Sequence, residues 1–242
     1  MHKSWDVHYI EVCSGPGRCI KRNTGEEIDG TAMAVMRHDA YRHYRSVTFL
    51  DKSQLVIAAL NRRIMALGQN GKALAIQANY TDPEGLVQIC QQRAPHGLTL
   101  IFIDPTDCSV PMETVRLLSR SLKRVDFIIN IATGTDANRN LKKAFAKPDS
   151  PGREKYERFL GSDNFFTDRD NVVLAENNQH AHLRTQFRAA YKSALTAEGY
   201  TYFADEIIRH YYDLVFASKH PTGLKFWQQA QRIRPDQQAT LF

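Results

Sequence analysis

Glu11, Gly15 and Gly17 stand at the spacing Asp/Glu-x-x-x-Gly-x-Gly, inside the run Tyr-Ile-Glu-Val-Cys-Ser-Gly-Pro-Gly-Arg from Tyr9 to Arg18. An apolar run that breaks into a glycine turn lets a ligand approach the backbone closely, because glycine has no side chain and tolerates positive φ. The acidic residue can then accept a hydrogen bond from a ligand amine or hydroxyl. This is the chemistry of holding a nucleotide-like group. Ser14 lies within the turn, and Cys13 occupies the place where the longer Gly-x-Gly-x-Gly form has its first glycine. The motif is short and common, so its weight depends on what surrounds it.

Three more polar residues end apolar runs. Asp51, followed by Lys52 and Ser53, is placed either to pair with both hydroxyls of a ribose or to cap the helix that follows it. Asn79, next to Tyr80, is placed to meet an adenine edge or is simply a loop residue with high turn propensity. Asp104-Pro105 follows an almost wholly apolar run. A carboxylate beside a core is costly unless it is paired or used, so Asp104 is the candidate for holding an amine or hydroxyl during a transfer reaction. Cys108 reads as a nucleophile or as a packing residue, and the latter is usual for thiols in such places. His180-x-His182 lacks a third metal ligand and reads as a solvated helix start. The chain has no Gly-x-Ser-x-Gly elbow and no Gly-Lys-Ser/Thr phosphate loop, which argues against hydrolases and nucleoside triphosphatases.

Alternating β-rich and helical segments must position these residues. Strands are expected over Val7 to Cys13, Ser46 to Asp51, Lys72 to Gln77, Leu98 to Asp104 and Asp126 to Ala132. The fourth of these reads as a central strand buried on both faces. Helices are expected over Thr31 to Tyr44, Gln54 to Leu67, Pro83 to Gln92 and Pro111 to Leu122, with a loop through Asp29 and Gly30 before the first. This alternation predicts a parallel sheet covered by helices on both sides. Residues 136–199 show no strand pattern and read as a helical insertion, with helices near Asn138 to Ala146 and His182 to Ala197 around a break at Pro148 to Gly152. Thr201 to Ile208 and Tyr211 to Ser218 are then separated only by Arg209 and His210. So short a link cannot make a parallel crossover, so the last two strands form an antiparallel hairpin. The expected fold is α/β and Rossmann-like: a mostly parallel seven-stranded sheet with a C-terminal antiparallel hairpin. It would form one domain over residues 1–242, with the insertion between strands five and six. That arrangement is typical of class I S-adenosylmethionine-dependent methyltransferases, whereas a dinucleotide-binding dehydrogenase domain stays parallel. S-adenosylmethionine is therefore the expected cofactor. Glu11, Ser14, Gly15 and Gly17 would face its methionine part, Asp51 its ribose and Asn79 its adenine, with Asp104 as the catalytic residue.

Composition bounds the partners without choosing one. With 242 residues and 43% hydrophobic content the chain can bury a full core. No apolar stretch is long enough to span a bilayer, and the first residues lack the apolar region of a signal peptide. The four cysteines form no Cys-x-x-Cys pair, so they read as reduced thiols of a cytoplasmic protein. A net charge of +6 permits a polyanionic partner such as nucleic acid if the excess gathers on one face. The segment from Lys142 and Lys143 through Arg153, Lys155 and Arg158, with Tyr156 and Phe159 interleaved, would either grip a phosphate backbone or form a solvated amphipathic face.

Four blocks carry a family resemblance: Ile10 to Arg18, Asp29-Gly30-Thr31-Ala32, Phe102-Ile103-Asp104-Pro105 and Tyr212 to Ser218. Together they resemble the three-Cys-motif partner proteins, a branch of the class I methyltransferase fold whose genes lie beside that of a three-cysteine radical-type protein. The resemblance implies Gly15, Gly17, Asp51 and Asp104 as site positions and that neighbouring protein as a partner. Three departures stand out. Little chain precedes the first strand, where the family usually has more, and the expectation is a shorter or an incomplete lid over the cofactor. Thr106-Asp107 replaces the aromatic and glycine expected after Asp-Pro, and Cys19 stands where an aromatic is frequent. Base-flipping amino methyltransferases also carry an aromatic after Asp/Asn-Pro-Pro, so Asp104-Pro105-Thr106-Asp107 weakens a flipped-base substrate. The terminal Gln238-Ala239-Thr240-Leu241-Phe242 resembles the Gln-x-x-Leu-Phe peptide that docks on bacterial sliding clamps, the alternative being a tail that packs on its own domain. The expected activity is methyl transfer to nucleic acid or a small molecule. The alternatives are a catalytically silent partner of the radical-type enzyme or of a DNA-associated complex, and, less consistent with the hairpin, a nicotinamide oxidoreductase.

Overall fold

The strands that end at Asp51, Gln77 and before Asp104 are apolar runs closed by a polar residue, and the first runs out through Cys13 into the glycine turn. The computed structural model describes residues 5–21, 23–208 and 211–232, and shows where these runs lie. Strands β1 (Val7–Val12), β4 (Ser46–Asp51), β5 (Ala73–Gln77), β6 (Leu98–Ile103) and β7 (Val125–Ile131) alternate with helices α1 (Thr31–Arg37), α2 (Gln54–Ala66), α3 (Pro83–Arg93) and α4 (Met112–Ser121). A small ribbon, β2 (Arg18–Ile20) with β3 (Glu27–Asp29), lies between β1 and α1. After β7 come α5 (Asn138–Ala146), α6 (Pro151–Leu160), α7 (Asn164–Thr167), α8 (Arg169–Glu176) and α9 (His180–Ala197). The described chain closes with β8 (Tyr202–Ile208), β9 (Tyr212–Ser218) and α10 (Pro221–Arg232).

The main sheet has the order β5-β4-β1-β6-β7-β9-β8. Its first five strands are parallel, and β9 runs antiparallel to both β7 and β8, from Tyr202↔Ser218 to Ile208↔Tyr212. The fold is therefore the mixed, Rossmann-like sheet with a closing hairpin. The Arg209-His210 link itself lies outside the described residues, as does the Gln238–Phe242 tail. Strand order reverses at β1, with β4 on one side and β6 on the other, so the C-terminal end of β1 is the topological switch point at which such sheets bind ligands.

The two faces of the sheet carry two apolar cores. On one, Tyr9 and Phe49 meet Met33 and the α2 stripe Ile57, Leu60 and Ile64. On the other, Ile10, Ile101 and Phe127 share a core with α4 and with Tyr156, Phe159, Phe187 and Tyr191 from the helices between β7 and β8. Along α9, Leu183, Phe187, Tyr191 and Leu195 recur every four residues and are all buried, the spacing that stacks side chains on one helix face. Each such large side chain contributes about 1.5–3 kcal/mol.

Three local expectations are corrected. The helix expected to reach Tyr44 stops at Arg37. His38 is extended, and its ring Nδ1 accepts from the Ala40 N–H to start a separate 3₁₀ turn over Asp39–His43. The segment read as a loop before Gly30 contains the β2–β3 ribbon, paired from Arg18↔Asp29 to Ile20↔Glu27. Finally, β6 is not buried on both faces throughout. Leu98 is exposed, and Leu100 and Phe102 are half-buried against the core that holds Tyr9 and Phe49.

Candidate functional site at the end of strand one

After Val12 the chain leaves the sheet through three residues with positive φ: Cys13 at 66°, Gly15 at 61° and Gly17 at 81°. For a residue with a Cβ this left-handed conformation costs about 1–2 kcal/mol. Cys13 thus keeps the backbone shape of the glycine it replaces, and is one of two non-glycine residues in that region among the described residues. Gly17 also needs its missing side chain for space: a Cβ there would stand 2.9 Å from Leu60 Cδ1 and 3.1 Å from Met33 Cγ. Gly30 donates its N–H to the Gly17 carbonyl at 2.9 Å, and a Cβ on Gly30 would lie 3.1 Å from the Gly17 carbonyl carbon. This close approach is what the Asp29-Gly30 pair provides. Asp29 itself holds Arg18 at 3.1 Å and Arg37 at 2.7 Å. At Gly15, by contrast, the space a Cβ would take is open.

Asp51 meets the same turn from the end of β4. Its Oδ2 accepts from the Gly15 N–H at 3.2 Å and its Oδ1 from the Ser53 N–H at 2.9 Å. Ser53, not Asp51, caps α2, accepting from the Val56 N–H at 3.4 Å, so the capping alternative for Asp51 is not realised. At the end of β5, exposed Asn79 uses its Oδ1 in an Asx turn, accepting from the Thr81 N–H at 3.1 Å and hydroxyl at 2.9 Å. Tyr80 is buried, with Lys52 donating to its hydroxyl at 3.3 Å and Ser109 Oγ 3.0 Å from it.

Beneath the turn lies a buried polar cluster. Glu11 accepts from the Tyr9 hydroxyl at 3.0 Å; burial, with a smaller contribution from the Asp104 charge, pushes its carboxyl up to about 8. Asp104 is fixed by its N–H, which donates to the Val12 carbonyl at 3.0 Å, and by the Asn130 amide, which donates to its Oδ1 at 2.6 Å. Burial raises its pKa as well, against the lowering effect of the Asn130 bond. Tyr212 lies close enough to feel the Asp104 charge, although burial is the main reason its own pKa rises. Two buried atoms here have no hydrogen-bond partner among the described residues, Ser14 Oγ and Asn130 Oδ1. Tyr9 and Asn130 were not singled out from the sequence. The signal for Asn130 was available, since an amide inside Val-Asp-Phe-Ile-Ile-Asn-Ile must find a partner.

The segment after Asp104 is tied to the helices beyond β7. The Cys108 N–H donates to Asp136 Oδ2 at 3.0 Å, which also receives Lys155 at 2.6 Å, while Asn140 donates to Oδ1 at 2.9 Å. These donors outweigh burial and hold the Asp136 carboxyl below its usual value. Asp107 is 3.5 Å from Lys155. The Cys108 thiol is fully buried, and burial raises its pKa far out of reach of ionisation, as suits a packing residue. The basic segment is corrected in one respect: Tyr156 and Phe159 are fully buried and cannot form a stacking surface. Arg153, Lys155 and Arg158 are each paired with a carboxylate. His180 opens α9, and among the described residues no group of three His, Cys, Asp or Glu side chains is arranged to hold a metal ion. All four cysteines are free, and no described helix is long and apolar enough to cross a membrane. One cavity of about 430 Å³ opens at the C-terminal end of β7, and another of about 390 Å³ lies between α4 and α6. Neither of these two includes the glycine turn.

No protein-family model and no curated protein matches the sequence. Among solved structures the chain is similar to M. capricolum TrmK in complex with S-adenosyl-homocysteine, at 10% identity and a TM-score of 0.44 over 89% of this chain and 63% of that one. It is also similar to the O-methyltransferase from Bacillus cereus in complex with the same compound, at 10% identity and a TM-score of 0.44 over 87% and 73%. A third is the O-methyltransferase TomG from Streptomyces achromogenes in complex with S-adenosylmethionine, at 10% identity and a TM-score of 0.46 over 87% and 72%. The chain spans less than two thirds of the TrmK chain. These are likenesses of chain trace only, and the fold itself stands on the strand order and register described above.

Proposed function

We propose that this chain is an S-adenosylmethionine-dependent methyltransferase. The observation that carries the reading is the bond from the Gly15 N–H to Asp51, which joins a positive-φ turn and a strand-end carboxylate at the switch point of a sheet closed by an antiparallel hairpin. The residues fit the cofactor: Gly15 leaves open space, and Ser14 Oγ is a buried hydroxyl without a partner among the described residues. Glu11, Ser14, Gly15 and Gly17 would hold the methionine part, Asp51 the ribose hydroxyls, and Asn79 the adenine edge beside Tyr80. When bound, S-adenosylmethionine supplies an electrophilic methyl group on a sulfonium.

The chain's own contribution is to position an acceptor and manage its proton. Asp104, held in one orientation by Asn130, accepts a hydrogen bond from an amine or hydroxyl and aligns it. A carboxyl whose pKa is raised by burial also takes up a proton more readily. Glu11, neutral at pH 7, keeps a second negative charge away from Asp104 until a cation lies nearby. The sequence blocks further support placing the chain among the three-Cys-motif partner proteins, with the adjacent radical-type protein as partner. Calorimetric titration with S-adenosylmethionine and S-adenosyl-homocysteine tests the assignment. We expect micromolar binding by the wild type and a loss of at least about 100-fold in Asp51→Ala, which removes the ribose acceptor and the partner of the Gly15 N–H. Folded wild-type protein that binds neither compound would refute it.

A further inference from the structure

The cavity of about 430 Å³ at the C-terminal end of β7 has no role in holding the cofactor, yet it lies beside the proposed transfer site. Its floor begins at Thr133, three residues beyond the Asn130 that holds Asp104. At about 3.3 Å per extended residue the two are at most roughly 10 Å apart. Asn138, Arg184, Thr185 and Arg188 line one part of it and the apolar Ile207 and Ile208 another, and Asp213 is its one acid. The backbone under Thr133 is a π-turn over Thr133–Ala137, with the Ala137 N–H donating to the Ala132 carbonyl five residues back at 3.0 Å. Such turns recur at functional sites, because they widen a helix locally and redirect its side chains.

The two arginines, one helical turn apart on α9, differ in their commitments. Arg188 is spoken for, donating to Asp213 at 2.6 Å and standing 3.5 Å from Asp205. Arg184 donates through one guanidinium nitrogen to Asn138 Oδ1 at 2.5 Å and forms no ion pair among the described residues. It is half-buried. A guanidinium has five N–H donors in a planar fork, matched to phosphate oxygens, and holding one in a partly desolvated wall without a carboxylate leaves it competent for an anion. Thr133, Thr185 and Asn138 add polar groups of the kind that orient rather than neutralise a phosphate.

We propose that this cavity binds a phosphate group of the methyl acceptor through Arg184, so that the acceptor is a nucleotide, free or within a polynucleotide. This rests on the methyltransferase reading for the word acceptor, but the phosphate site stands on Arg184 and its cavity. It also moves phosphate recognition away from the paired cations of α6.

The test measures binding of adenosine, adenosine monophosphate and a fluorescein-labelled single-stranded oligonucleotide of about a dozen residues to the full chain. Wild type is compared with Arg184→Gln and Arg184→Lys, with thermal melting as the folding control and S-adenosyl-homocysteine titrated in parallel. The expected result is that a phosphate-bearing probe binds about 10-fold more weakly to Arg184→Gln, with partial recovery in Arg184→Lys and unchanged S-adenosyl-homocysteine affinity. For the oligonucleotide, the slope of log affinity against log salt becomes shallower by about 0.7, one phosphate contact on a single strand. Binding of the monophosphate identifies a free nucleotide as source, and binding of the oligonucleotide alone a polynucleotide. The proposal is overturned if neither phosphate-bearing probe binds, if adenosine binds as well as its monophosphate and no oligonucleotide binds, or if a folded Arg184→Gln binds every probe as the wild type does. Failure of S-adenosyl-homocysteine to bind, with phosphate binding intact and sensitive to Arg184, would strike the cofactor reading alone.

Discussion

Replacing Glu11 with glutamine should remove a pH dependence written into the first strand. Glu11 is 1% exposed, and its carboxyl is pushed from an ordinary 4.5 up to about 8. A carboxyl raised in this way binds its proton more tightly in the folded chain than in the unfolded one. Its contribution is complete below pH 4.5 and is lost as pH climbs through 8, because between those values only the folded state keeps the proton. At 1.36 kcal/mol per unit, the interval from 4.5 to about 8 corresponds to a loss on the order of 5 kcal/mol. Most of it falls below neutrality, at a slope near 1.4 kcal/mol per pH unit. Glutamine has the shape of the protonated acid and can still accept from the Tyr9 hydroxyl, but it never ionises. Urea unfolding of both proteins between about pH 5 and about pH 9, followed by circular dichroism, isolates the effect as a difference. His8, whose pKa is lowered chiefly by burial, tilts both curves the same way and cancels. The variant should gain on the wild type by several kcal/mol as pH rises. A difference that stays flat across the range would show that Glu11 is ionised in the free fold, and would remove the argument for its neutrality beside Asp104.

Cys13 gives a second prediction. Cys13→Gly should stay within about 1 kcal/mol of the wild type, since relief of the left-handed conformation offsets lost packing and added chain entropy, whereas Cys13→Val should lose about 2 kcal/mol or more because a β-branched residue resists that conformation. Denaturant melts of the two variants check this, and equal effects would refute the strain. Lys155→Met should lose about 3 kcal/mol at neutral pH, leaving buried Asp136 with hydrogen bonds but no cation. Because the wild-type Asp136 carboxyl is held low, its stabilisation is present above its ordinary value and lost as pH falls, so the deficit of the variant should narrow on acidification; calorimetric melting at neutral and acid pH measures both.

The parts of the site that were readable in the sequence are those where one residue breaks a local pattern. Asp51 and Asp104 end apolar runs, and Gly15 and Gly17 interrupt one, so type and position together mark a strand end. The closing hairpin was readable from chain length alone, since two residues cannot cross a sheet. What escaped depends on contacts between distant segments. The Gly17–Gly30 approach joins residues in separate loops, and nothing local to either names the other. The break after Arg37 has no proline or glycine to announce it; it comes from a histidine ring that caps the next turn. The three-residue strands of the β2–β3 ribbon are too short to show alternation. Arg184 sits among polar residues on an amphipathic helix, and only the cavity beside it distinguishes it from Arg139 or Lys143.

The aromatic side chains of α6 and α9 pack in the same apolar core as Ile10, Ile101 and Phe127 from the sheet. The helices after β7 are therefore poor material for exchange between related proteins. A segment transplanted without its matching sheet residues would leave cavities or clashes under the site, and one deleted would uncover part of the core that α3 and α4 share with it. Diversification on this scaffold is thus channelled to substitutions on the outer surface of these helices, where a side chain such as Arg184 can change without disturbing the layer beneath. New specificity would arise here by repainting rather than by swapping parts.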